Sequence, residues 1–498
     1  MQKVINLFTR FPFFYFLVPV FLFLHIENEF RHLINYHFVS FQMTQLVIAA
    51  LLIYLSSKLF FKRPRSGSLF ALAFLLVYYY FCDFKDYLHF KVPGFLSSYT
   101  LLLPFFFFAL VAIFIFLRKS KSTFANTFLY LNTLLVILIA WEAVSLLFNL
   151  DAKKIDLGDI RKEFTRNYQP CTSCEKPDIF YFLLDGYTSS EVLKSKFGFI
   201  NPLDNYLSGK GFYVVPHSRS NYNLTPFSMG STFNLNYLPG LKSDEQFFIK
   251  NYLPGVATVY YSELFPVLQK EGYKVYNLSI FNLDKIPAKE KPYDLWEVNQ
   301  IYARHNIFWK IDSDIGWLIR QKLGIKGKPQ SLQDYVDAKD LHLQRTIDST
   351  ISAIHAQSEQ PKFVYSHFVM PHGPYSFDSA GVRYPPKSFP MTWEEYQNGY
   401  LGEIKYANNV IKQLVEDIFK DKQRPAIIII QGDHGFRFME PPMHSLQFSN
   451  FNAMYFPKEK YQQLGDSITN VNTFRFVLNA FLGKNLPLLK DTSIFLHY

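Results

Sequence analysis

The sequence predicts an N-terminal transmembrane domain of five helices followed by an α/β domain built on a central, mostly parallel sheet flanked by helices. Three observations predict it. Five stretches in the first 150 residues are apolar and about long enough to cross a hydrocarbon core of roughly 30 Å. Beyond residue 177, short β-rich runs alternate with longer amphipathic ones, the pattern of strands covered by helices. Two of the runs are apolar throughout, as strands buried on both faces are, and they end alike, at Asp185-Gly186 and at Gly432-Asp433-His434-Gly435.

The apolar stretches are 8–26, 43–61, 68–84, 98–117 and 124–150. A secretory signal has one short apolar core and a cleavage site, so recurring stretches read as membrane helices. Lys3 and Arg10 precede the first, Lys62-Arg63-Pro64-Arg65 joins the second to the third, and Arg118-Lys119-Ser120-Lys121 joins the fourth to the fifth. Short basic loops stay in the cytoplasm, which puts the amino terminus inside and, after an odd number of spans, the rest of the chain outside. The mixed-charge loops 27–42 and 83–96 then face outward. The expected location is the inner or plasma membrane, multi-pass, with the later domain periplasmic or extracellular.

Residues 1–150 form the membrane domain of this reading, 151–177 a polar linker and 178–498 the outer domain. Expected strands are 178–184, 212–215, 274–279, 362–369, 426–431 and 452–456. Expected helices include 189–196, 226–237, 259–271, 332–355, 393–419 and 472–482. Open α/β sheets hold their ligands at the carboxyl ends of the strands, so Asp185 and Asp433-His434 are expected at one edge.

The net charge is +10, but the basic residues are dispersed and no aromatic-basic module interleaves with them. That argues against a nucleic-acid partner and for a basic domain beside an anionic membrane. Three cysteines are too few for a disulfide framework. Cys82 reads as a small packing residue in the third span. Cys171-Thr172-Ser173-Cys174 lacks the second pair that a four-sulfur zinc site needs, and reads as a local disulfide stiffening the linker rather than a redox centre.

Thr225-Pro226 follows an extended polar segment and opens a helical pattern, so Thr225 is expected at the N-cap and Pro226 at the first helical position. Capping alone explains that pair. A hydroxyl at a helix amino terminus also suits a developing anion, and beside a divalent cation it becomes a nucleophile. His372, in Met370-Pro371-His372-Gly373-Pro374, either joins the site or braces a Pro-rich loop. His367 is expected to point into the strand layer; Arg437 pairs with a phosphate oxygen or sits in solvent.

The order Asp185, Thr225, His372, Asp433-His434 resembles the alkaline phosphatase superfamily, in particular its sulfatase-like branch. Five spans before an extracytoplasmic domain resemble the membrane-anchored phosphoethanolamine transferases and lipoteichoic acid synthases. The resemblance implies a metal held by Asp185, Thr225, Asp433 and His434, with Thr225 as covalent nucleophile and His372 as a substrate-side histidine. It implies zinc, as in the phosphoethanolamine transferases, or manganese, as in the lipoteichoic synthases; magnesium also suits so many oxygens. The implied partners are a membrane lipid donor and an envelope glycan or lipid acceptor, and the implied reaction moves a phospho-alcohol group through a phosphothreonine.

The sequence departs from that pattern in three places. Asp185 is followed by Gly186 where sulfatases pair aspartates. Thr225-Pro226-Phe227-Ser228 has neither the Cys or Ser nor the Arg of the formylglycine motif, which argues against that route. The histidine expected just before the strand at 452–456 is absent from Ser449-Asn450-Phe451, leaving His444 as the nearest, weaker candidate. A hydrolase of phosphate or sulfate esters and a non-catalytic envelope scaffold are the rival readings.

Overall fold

The computed structural model describes residues 2–29, 36–92, 94–148, 164–165, 167–241, 245–246, 249–283, 285–290, 307–311, 316, 323, 332–385, 391–421, 424–437, 443–459, 461 and 464–497. The chain divides into two compact units, Met1–Lys154 with Trp296–Lys328, and Ile155–Leu295 with Pro329–Tyr498.

The first unit contains α1 (Gln2–Arg10), α2 (Phe13–Glu29), α3 (Tyr36–Phe60), α4 (Pro64–Lys91), α5 (Tyr99–Lys119) and α6 (Ala125–Phe148). Four of these helices are long and apolar enough to cross a membrane, or five if the α1–α2 pair, bent by 90°, counts as one span. The stretch 8–26 is therefore not one straight helix. Pro12 has no N–H and disfavours a helical Phe11, which breaks the chain there. Asn132 of α6 takes up the freed groups, accepting from the Phe14 N–H and donating to Phe8 O and Phe11 O, both at 2.8 Å.

The loop expected at 83–96 is mostly helix, because α4 continues to Lys91. A polar turn of sequence does not stop a helix that has no breaker, and the first breakers downstream are Pro93 and then Gly94, the latter at φ +109°. Cys82 is buried in α4. One later segment also belongs to this unit. In the short helix Ile307–Ile311, Phe308 lies 5.8 Å from Tyr78, Lys310 is 3.2 Å from Asp86, and Ile307 packs with Phe81, Cys82 and Leu102.

The second unit runs β1 (Asp178–Leu184), α7 (Ser190–Phe197), α8 (Pro202–Gly209), β2 (Tyr213–Val214), α9 (Thr225–Asn234), β3 (Glu245–Gln246), α10 (Ile249–Tyr260), α11 (Leu264–Lys270) and β4 (Lys274–Leu278). It continues with α12 (Leu332–His355), β5 (Lys362–Phe368), α13 (Trp393–Lys420), β6 (Ala426–Gly432), β7 (Asn452–Tyr455), α14 (Asn470–Leu482) and β8 (Leu496–His497). The helix expected at 259–271 is instead the end of α10 and all of α11, divided around Tyr261–Glu263. Of the expected linker, 151–163 and 166 lie outside the described residues; Cys171 and Cys174 form a disulfide.

Six strands form a mixed sheet in the order β2-β7-β6-β1-β5-β4. β4, β5, β1 and β6 pair in parallel, and β7 pairs antiparallel with both β6 and β2. β3 and β8, which the sequence analysis did not anticipate, form a separate parallel pair. Every residue of β1 and β5 is buried, and the two-residue period sends alternate side chains into two cores. Phe180, Phe182, Ile428, Ile430, Val364 and Phe368 pack under α7, α8, α12 and α13. Ile179, Tyr181, Ile427, Ile429, Phe363 and Tyr365 pack under α9, α10, α11 and α14. Each fully buried branched side chain stabilises this arrangement by about 1.5–3 kcal/mol.

A candidate metal centre at the strand ends

Strand register assembles the site. Leu184 pairs with Phe368 on one side and with Gly432 on the other, so Asp185 and Asp433 leave the sheet side by side. Gly186 follows at φ +76°, a conformation costly for any residue with a Cβ, and its N–H donates to Asp433 Oδ1 at 2.9 Å. The His434 N–H donates to the same oxygen, also at 2.9 Å. A Cβ on Gly435 would lie 2.5 Å from Ser449 O and 2.7 Å from Leu446 O. At Gly435 the close approach is thus to the protein's own backbone.

Asp185, Asp433 and His434 each offer a ligand atom within 4.8 Å of the others, and among the described residues this is the group of His, Cys, Asp and Glu able to hold a metal ion. All three are buried. His434 Nδ1 lies 2.7 Å from Gly435 O; a carbonyl only accepts, so Nδ1 carries the proton and Nε2 presents a lone pair. That lone pair faces Asp185 Oδ1 at 3.5 Å and Asp433 Oδ2 at 3.4 Å. None of the three atoms has a hydrogen-bond partner among the described residues. Three electron-rich atoms converging in a buried space with no proton among them repel one another, and a divalent cation resolves the conflict. The residues present fit such an ion.

The titration tendencies agree. Burial and the neighbouring Asp185 charge push Asp433 up to about 6. Burial also opposes ionisation of Asp185, but His372, His367 and His434 outweigh it and hold that carboxyl below its ordinary value. Burial, aided by the Arg437 charge, pushes His434 down to about 3, which leaves it a neutral donor at physiological pH.

Thr225 is the first residue of α9, not its N-cap; Leu224 occupies the cap in extended geometry. The one-residue difference arises because Leu224 O already accepts from the Ser228 N–H at 2.9 Å, closing the first turn without a side chain. Its hydroxyl is therefore not used in capping, and it lies close enough to the Asp433 carboxylate to favour that group's ionised form. All ten residues of α9 are buried. Ser228, one turn on, donates to Asp433 O at 2.6 Å, and Asn470 of α14 donates to Gly432 O at 3.1 Å, pinning the helix start and the strand end together.

His372 and Arg437 are brought together. Arg437 Nη2 lies 2.6 Å from His372 Nε2, and His372 Nδ1 is 2.7 Å from Gly373 O, so the ring is a neutral Nδ1–H tautomer that accepts from the guanidinium. Burial lowers His372 to about 4, with Asp185 opposing and the Arg437 charge reinforcing the fall. His444 stacks on Phe495 with centroids 4.9 Å apart and, among the described residues, is not part of that donor group.

His367 does enter the strand layer, stacked on Phe281, and that layer reaches the site: its Nε2 is 3.6 Å from Asp185 Oδ2, and among the described residues neither ring nitrogen has a hydrogen-bond partner. Its position one residue before the end of β5, level with Leu183, was the sequence signal that could have found it.

The sequence model of the sulfatase family matches residues 230–478, a range that contains His372, Asp433, His434 and Arg437. No curated protein sequence matches the chain. Among solved structures, the C-terminal periplasmic domain of EcEptC from Escherichia coli is similar at 12% identity and TM-score 0.40, over 67% of this chain and 92% of that one. A putative sulfatase from Bacteroides thetaiotaomicron is similar at 9% identity and TM-score 0.39, over 64% and 74%. The integral membrane lipooligosaccharide phosphoethanolamine transferase A of Neisseria meningitidis is similar at 14% identity and TM-score 0.37, over 77% and 68%.

Proposed function

The chain belongs to the sulfatase family, and from that premise we propose that it is a metal-dependent membrane transferase that moves a phospho-alcohol group, of the phosphoethanolamine or phosphoglycerol type, from a phospholipid to an envelope glycan or lipid. The observation that carries this reading is the Thr225 hydroxyl, free of capping duty and held against Asp433 beside two further metal-type donors.

In this reading Asp185, Asp433, His434 and Thr225 hold one divalent ion, zinc first by its fit to mixed oxygen and nitrogen donors, with manganese or magnesium as alternatives. When bound, such an ion supplies Lewis acidity, lowering the hydroxyl pKa and offsetting charge on the phosphoryl oxygens. Thr225 Oγ attacks the lipid phosphorus, and the bond from phosphorus to the diacylglycerol oxygen breaks. The proton lost by Thr225 is balanced by the one that oxygen gains. An acceptor hydroxyl then attacks the phosphothreonine and Thr225 regains its proton. A neutral His372 that accepts from Arg437 suits holding the guanidinium against a phosphoryl oxygen, rather than giving up a proton. The apolar helices keep the site near a lipid donor, with the amino terminus cytoplasmic and the second unit extracytoplasmic.

The test is intact-mass analysis after incubation with phosphatidylethanolamine and phosphatidylglycerol vesicles. A phospho-alcohol adduct on the wild type and none on Thr225→Ala is expected, with diacylglycerol released. Equal turnover by both proteins without an adduct overturns the covalent step, and release of free phospho-alcohol with no modified acceptor makes the protein a hydrolase.

A further inference from the structure

A second buried charge cluster lies one loop away from the metal-type donors. Lys339, on α12, has a side chain only 1% exposed, and its ammonium donates to His372 O at 3.1 Å and to Pro374 O at 2.6 Å. Glu403 of α13 stands 3.6 Å from the same nitrogen, and Asp340 of α12 at 4.0 Å. Glu403 Oε1 accepts from the Ser376 N–H at 2.9 Å, while Asp340 accepts from the Ser376 hydroxyl at 2.7 Å and from Arg383 Nε at 2.6 Å. Residues 372–376 are thus held at four points by side chains from two helices.

Burying an ammonium costs several kcal/mol, and an apolar residue of similar size stabilises a core as well or better. A packing role therefore does not account for a lysine here. What the cation does, and an apolar side chain cannot, is grip two carbonyls two residues apart, one of them the carbonyl of His372 itself. That grip fixes the His372 backbone, while Gly373 O and Arg437 fix its ring.

We propose that Lys339 is a positioning residue: its buried ammonium, balanced by Glu403 and Asp340, clamps the His372–Pro374 turn and so aims the His372–Arg437 pair at the reacting phosphoryl group. The role assigned to that pair rests on the transferase reading; the clamp itself does not. A displacement of 1 Å in such a group costs on the order of 100-fold in rate.

The experiment uses the full chain, with diacylglycerol release from phosphatidylethanolamine and phosphatidylglycerol vesicles as one readout and the rate of His372 carbethoxylation, read by peptide mass, as the other. Lys339→Met is expected to lower kcat by about 10- to 100-fold with little change in apparent KM, to keep bound metal, and to speed His372 modification. Lys339→Arg restores most of the rate. In a His372→Ala background Lys339→Met causes no further loss. If Lys339→Met alone fails to fold because it strands Glu403, the pair Lys339→Met with Glu403→Gln removes both charges and carries the same expectations. The same fractional loss in wild-type and His372→Ala backgrounds, or unchanged His372 reactivity, overturns the proposal. If the wild type releases no diacylglycerol, the transferase reading fails while His372 reactivity still decides the clamp.

Discussion

At the scale of single residues, the metal-type donors and the clamp respond differently to solution conditions. The Asp185, Asp433 and His434 atoms repel one another when no ion lies between them, so an ion that binds only the folded chain stabilises it, by about 2.7 kcal/mol when present at 100 times its Kd. Chelation is expected to lower the melting temperature by that mechanism and zinc to restore it. Asp433→Asn should erase the difference, and identical melting of the wild type before and after chelation would refute the ligand assignment. Glu403 titrates near neutrality, since burial raises it from 4.5 to about 7 despite the opposing Lys339 charge. Between those pH values the folded chain binds the extra proton and the unfolded chain does not, so this group's contribution falls as pH rises through the window, by about 3 kcal/mol in all. Glu403→Gln should flatten the stability profile between pH 4.5 and 7, as read by denaturant melts; an unchanged slope counts against the burial argument.

At the scale of elements, register does what no single residue can. Asp185 and Asp433 were legible as site residues because each ends an apolar run, and the pairing of Leu184 with Gly432 delivers them together. The Thr225 hydroxyl was legible as an N-terminal helix group but not as a non-capping one, since that depends on Leu224 closing the turn through its carbonyl. Lys339 and Glu403 gave no local signal: a lysine and a glutamate at helical spacing read as solvated, and only the packing of α12 and α13 on the strand face buries them. The split of 259–271 into two helices was hidden for the same reason, apolar periodicity continuing across the break. Gly435→Ala tests the tightness of the turn after β6. Its new Cβ would press on three backbone oxygens, costing about 1–3 kcal/mol and loosening metal binding. Retention of both stability and metal would mean that the turn yields.

At the scale of the whole molecule, the chain passes between its two units more than once, since Trp296–Lys328 groups with the N-terminal helices. One boundary is expected near residue 150 because composition changes there; 296–328, most of which lies outside the described residues, has no apolar stretch long enough to mark a return. Excising 164–498 would strip Ile307 and Phe308 of Tyr78, Phe81 and Leu102. Such a fragment should self-associate, and replacing 296–328 with a Gly-Ser linker should return it to a monomer by size-exclusion chromatography. Monomers in both cases would show that the visit contributes little. The placement of β1 carries one more consequence, in time rather than space. It is flanked by β5 and β6, and the backbone N–H that meets its first carboxylate belongs to a residue 184 positions downstream. At ordinary elongation rates that interval lasts on the order of 10–40 s. For that period the newborn Phe180-Tyr181-Phe182 run has neither neighbour, and whatever shields it from other nascent chains governs the yield of the finished protein.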